Sequence, residues 1–122
     1  MTSYDDAVRR YFAAWNAATP EELEKAVGEA FTEDATYIDP LADVRGHEEL
    51  AAAISGAQQQ FPGFAFRPAG AVDGHHCLVR FSWELVAAAD GSAPVAGSDV
   101  ITLADDGRIS SVSGFLDRVP AV

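Results

Sequence analysis

The sequence predicts an α+β domain in which a cone-like, curved antiparallel sheet wraps on three N-terminal helices. Three observations predict it. Apolar residues recur at helical spacing in three stretches of the first half and at a spacing of two in the second half. Asp-Gly pairs split that second half into hairpin-sized pieces. Three helices cannot cover both faces of such a sheet, so it must curve round one helical layer. The concave side then encloses a cavity, and the convex side stays partly bare. At 122 residues a single domain over 1–122 is expected.

The first helix is expected from Tyr4 to Ala17. Ser3 can cap it, and Asp5 and Asp6 stand in its first turn, where the helix dipole favours negative charge. Tyr4, Val8, Tyr11 and Trp15 share one face, widened by Ala7 and Phe12. Thr19-Pro20-Glu21-Glu22 is a capping box with proline at the first helical position. It opens a second helix that buries Leu23, Val27, Ala30 and Phe31. Ala35 to Asp39 reads as a short strand stopped by Pro40, and Leu41 to Arg45 as a loop. Gly46 leads into a third helix, His47 to Gln60, ended by Pro62-Gly63.

Four strands follow. Phe64 to Ala71 ends near Asp73-Gly74, and His76 to Ala87 alternates Val79, Phe81, Trp83 and Leu85 with Arg80, Ser82 and Glu84. Cys77 shares the parity of Val79 and is expected as a small buried hydrophobe. Val95 to Leu103 and Arg108 to Arg118 close the sheet around Asp105-Asp106-Gly107.

Nineteen acids against eight bases give a net charge of −11, with no basic stripe. Such a surface repels phosphate backbones, which excludes nucleic acid as a partner. No apolar run approaches the length of a membrane span. The start, MTSYDDAVRRYF, lacks an apolar signal core, so a cytoplasmic location is expected. One cysteine and three scattered histidines match no ligand spacing, so no metal is expected. His75 and His76, after a turn, are expected at the surface.

Tyr11, Asp39 and Asp99 carry the candidate chemistry. Tyr11 lies on the apolar face of the first helix. Asp39 ends an otherwise apolar strand. Asp99 shares a strand face with Ile101 and Leu103, so it is buried or lines a cavity. Burial without a partner is costly and favours the protonated acid, which donates a hydrogen bond. Each residue also has a plainer use: a core tyrosine bonded to backbone, a turn acceptor before proline, a buried structural acid. Together, a phenol and a neutral acid can hold an enolate oxygen while a carboxylate moves the adjacent proton.

Arg10-Tyr11-Phe12-Ala13-Ala14-Trp15-Asn16-Ala17 resembles the first helix of bacterial ketosteroid isomerases. Phe31-Thr32-Glu33-Asp34-Ala35-Thr36-Tyr37-Ile38-Asp39-Pro40 resembles the segment carrying their base. Asp99, with Asp106-Gly107-Arg108-Ile109 beyond it, resembles their acid-bearing strand. The resemblance implies a nuclear transport factor 2-like fold, with Tyr11 as oxyanion phenol, Asp39 as proton-shuttling base and Asp99 as protonated donor. It also extends to polyketide-cyclase-like (SnoaL-type) proteins of the same skeleton, which implies ring closure as an alternative to isomerisation. Non-catalytic binding of a hydrophobic ligand is the third reading. None of the three needs a cofactor. Epoxide-hydrolase relatives would need an inward arginine; Arg80 has the wrong parity, which leaves Arg67.

The expected apolar walls are Trp15, Val79, Phe81, Trp83, Ile101 and Leu116, around a hydrophobic small molecule. The bare convex face, with Arg80, Ser82, Glu84, Val100 and Thr102, is expected to pair two copies into a homodimer.

Overall fold

A computed structural model describes residues 4–120; the cap expected of Ser3 lies outside them. The elements are α1 (Tyr4–Trp15), α2 (Pro20–Ala30), β1 (Phe31–Asp39), β2 (Ala42–Arg45), α3 (Gly46–Gln60), β3 (Phe64–His75), β4 (Leu78–Ala87), β5 (Val95–Leu103) and β6 (Ile109–Arg118). Three helices line one side of a curved, unclosed six-stranded sheet of order β2-β1-β6-β5-β4-β3. Neighbours pair antiparallel except β1 and β6, which run parallel.

Local chemistry sets the boundaries. Thr19 Oγ1 accepts the Glu22 N–H at 3.1 Å, and Glu22 reaches back to the Ala18 N–H at 3.0 Å, so α2 starts at Pro20 as its sequence demands. α1 stops at Trp15, not Ala17. The side chain of Asn16 accepts the Phe66 N–H at 2.8 Å and donates to the Phe66 carbonyl at 2.9 Å, which ties the helix end to β3.

Three expectations need correction. Leu41 to Arg45 is not a loop: Ala42–Arg45 is a strand hairpinned on β1, with Asp39 opposite Ala42 and Thr36 opposite Arg45. β3 does not end near Asp73-Gly74 but continues to His75, past an irregularity between Ala69 and Asp73. The turn therefore falls on His76, at φ 51°, and Cys77. That puts Cys77 at the surface instead of in the core. His75 and His76 are exposed there as expected.

The core lies between helices and sheet, with Val27, Phe31, Leu50, Ile54, Val79, Ile101, Ile109 and Val112 its largest fully buried members. Among the described residues no helix is long and apolar enough to cross a membrane.

Candidate functional site

At the open end of the cone, α1, α3 and the concave sheet face enclose a cavity of about 380 Å³. Tyr11, Trp15, Tyr37, Phe66 and Trp83 form its aromatic wall, and Leu116 and Val95 part of its aliphatic one. Among the described residues, Asp39 is the single charged one on the wall. A broader groove between α2 and α3, about 720 Å³, is lined by Leu23, Glu24, His47, Glu48 and Ser55. The groove's histidine is bonded to the Phe31 carbonyl at 3.0 Å, and the groove contains no carboxylate–phenol pair.

Helical spacing on α1 turns Tyr11 inward, and strand parity on β5 turns Asp99 toward it. The Tyr11 hydroxyl donates to Asp99 Oδ2 at 2.9 Å. Asp99 is 2% exposed. Burial pushes its carboxyl up to about 7; the Tyr11 bond pulls the other way, and the Asp39 charge adds to the rise. Burial, then the adjacent Asp99 charge, hold the Tyr11 phenol far above its ordinary range. The indole N–H of Trp15 is buried without a well-formed hydrogen bond among the described residues, and its ring lies 6.1 Å from that of Tyr11.

A second pair stands beside the first. The Tyr37 hydroxyl donates to Asp39 Oδ2 at 2.5 Å. Oδ1 of Asp39 accepts the Leu41 and Ala42 N–H groups, each at 2.8 Å, which builds the turn between β1 and β2. Burial, then the bond to Asp39, push the Tyr37 phenol up. Tyr37 stands on the cavity wall, where the sequence reading assigned it no role. The available signal was its parity with Asp39 on β1, which puts both side chains on one face.

Two glycines make room for this arrangement. A Cβ on Gly114 would lie 2.6 Å from Asp99 Oδ1 and 3.3 Å from Asp39 Cβ, so β6 passes between the two carboxylates only because that side chain is missing. A Cβ on Gly97 would collide with the Trp83 indole and, at 2.6 Å, with the Phe115 carbonyl. Gly114→Ala should therefore lose about 1–3 kcal/mol in denaturant unfolding, the usual cost of overpacking. A stability gain, the normal result of removing a strand glycine, would contradict this packing.

The cavity brings Tyr11, Asp39, Trp15, Trp83 and Leu116 together. Val79, Phe81 and Ile101 are not on its wall. They point inward but sit deeper in the cone, sealed among core side chains at no more than 2% exposure. Asp99 likewise lies one layer behind, meeting the cavity through Tyr11. Arg67 faces outward and pairs with Glu84 at 2.9 Å, so no inward arginine comes from β3. Among the described residues, no three His, Cys, Asp or Glu are grouped to hold a metal ion.

The family model of the SnoaL-like domain matches residues 8–112. A crystal structure of a candidate isomerase of the SnoaL-like family from Agrobacterium tumefaciens is 43% identical, covers 96% of this chain and 99% of its own, and superposes with a TM-score of 0.89. A candidate SnoaL-like polyketide cyclase from Jannaschia sp. is 22% identical over 93% of this chain and 84% of its own, with a TM-score of 0.75. A nuclear transport factor 2-like protein of unknown function from Cytophaga hutchinsonii is 17% identical over 96% and 92%, with a TM-score of 0.66. These last two likenesses concern the fold alone. No curated protein matches the sequence.

Proposed function

Because the chain belongs to the family of SnoaL-like domains, we propose that its cavity takes a flat apolar carbonyl compound and moves a proton next to the carbonyl through an enolate. One observation carries this reading: two carboxylate–phenol pairs meet at an aromatic cavity, separated by Gly114. The Asp39 carboxylate would take the proton from the carbon next to the carbonyl. The electron pair left behind moves to the carbonyl oxygen, and Asp39 returns the proton to carbon. The developing oxygen charge would be met by the Tyr11 hydroxyl. That hydroxyl now donates to Asp99. A protonated Asp99 would donate to the Tyr11 oxygen instead, which frees the phenolic proton for the substrate. Asp99 thus acts through Tyr11 in this reading, without touching substrate, and the likeness to a candidate isomerase supports the reaction class.

Ring closure of the polyketide-cyclase type would use the same enolate. A different observation favours binding without turnover: both oxygens of Asp39 already accept hydrogen bonds from the protein's own groups. Deuterium exchange at the carbons flanking the carbonyl of 2-tetralone, followed by NMR in heavy water, separates the readings. Enzymatic exchange well above the buffer rate is expected, and conversion of an unconjugated ketosteroid to its conjugated enone would extend it to isomerisation. Binding with exchange at the buffer rate would make the protein a carrier.

We also propose a homodimer through the convex face. Ile38, Val100 and Phe115 are exposed there on three adjacent strands, Phe115 by 62%, beside Arg80, Ser82, Glu84 and Thr102. Sedimentation at micromolar concentration should give twice the 12.9 kDa chain mass; a monomer there counts against it.

A further inference from the structure

The charge of the cavity is unbalanced. Asp39 on its wall and Asp99 behind it form no ion pair among the described residues. Among the described residues, no Lys, Arg or His lines the cavity. Arg67 and Arg118 are held by Glu84, and Arg80 by Asp73, on the outer face of the sheet. Arg9, Lys25 and Arg108 pair with acids elsewhere, Arg10 donates to the Gly107 carbonyl, and Arg45 is not on the wall. From Tyr37, which bonds Asp39, a chain of ring contacts runs along the wall: Tyr37 to Trp15 at 5.6 Å, tilted, then Trp15 to Phe66 at 5.1 Å and Phe66 to Trp83 at 5.3 Å, both edge-to-face. Aromatic faces attract cations and a carboxylate attracts them more, and both effects grow where water is excluded. Neither welcomes an anion.

From this we infer that the natural ligand carries a protonated amine on its apolar ring scaffold, and that this amine supplies the counter-charge the cavity lacks. The inference rests on the second reading above, binding without turnover, in which Asp39 is a counter-ion and not a base, and it names the ligand's charge. The ammonium group would sit against the Asp39 carboxylate, with Trp15, Tyr37 and Phe66 around it, and the rings of the scaffold would fill the space toward Trp83. A carboxylate- or phosphate-bearing ligand would find neutral donors on the wall but, among the described residues, no cation, and it would be repelled by Asp39.

Calorimetric titration at pH 7 with three molecules of one shape tests this: 2-aminotetralin, which is cationic, 2-tetralone, which is neutral, and tetralin-2-carboxylate, which is anionic. The amine should bind about tenfold more tightly than the ketone, the gain expected of a desolvated cation–π and ion contact. The carboxylate should bind more weakly than either. Asp39→Asn should remove most of the amine's advantage while leaving the ketone's affinity within about twofold. A ketone that binds as tightly as the amine overturns the inference and leaves the pocket reading standing. So does an amine advantage that survives in folded Asp39→Asn. Failure of all three molecules to bind the parent protein overturns both. The parent titrations decide the matter even if the variant does not fold.

Discussion

Asp99→Asn should raise the thermal midpoint by more than about 5 °C at pH 8 and leave it almost unchanged at pH 4. In the unfolded chain this carboxyl releases its proton near the ordinary aspartate value of 3.8, whereas in the folded protein burial holds the proton until about 7. Between those values the folded state binds more protons than the unfolded one, so the aspartate's contribution falls as pH rises. The loss accrues at about 1.4 kcal/mol per pH unit and levels off above pH 7. It reaches on the order of 4 kcal/mol. Asparagine keeps an acceptor for the Tyr11 hydroxyl and cannot ionise, so the difference between variant and parent should climb from pH 4 to pH 7 and then stay flat. The measurement is thermal unfolding of both proteins across that range. A variant less stable than the parent at every pH would mean that Tyr11 needs an ionised acceptor, and Asp99 would lose its role as a proton donor.

Asp39→Asn should reduce deuterium exchange on 2-tetralone by at least about 100-fold, the usual contribution of a positioned base. Its fold should survive. The amide oxygen can still accept the Leu41 and Ala42 N–H groups, and its NH₂ can face the Tyr37 hydroxyl, which accepts as well as donates. Exchange that persists in the folded variant would move the base to another group.

Most of the fold is legible because it is written in local rules. The Thr19 cap, the period-two run from Val79 to Leu85 and the Asp-Gly turns each act within a few residues. What escaped depends on distant partners. β2 has only four residues, and their alternation means nothing until β1 pairs with it. Asn16 ends α1 by grasping Phe66, fifty positions away. The parallel pairing of β1 with β6 joins segments from opposite ends of the chain. At the site, parity correctly turned Asp99, Val79, Phe81 and Ile101 inward. It says nothing of depth along the cone, so three expected wall residues are core and Asp99 is a layer removed. Tyr37 was visible as a neighbour of Asp39 in sequence, but its bond to that carboxylate follows only from the face they share.

The chain contains two tryptophans, Trp15 and Trp83, and both line the same cavity. All of the protein's indole emission therefore originates at one small volume. Whatever enters must change the polarity around both fluorophores, and a conjugated guest can accept their excitation energy. The protein is its own optical sensor of occupancy, with no outlying tryptophan to dilute the response. Trp83→Phe would leave Trp15 as the sole emitter, packed between Tyr37 and Phe66. Unlabelled compounds could then be screened by the light the chain already gives off.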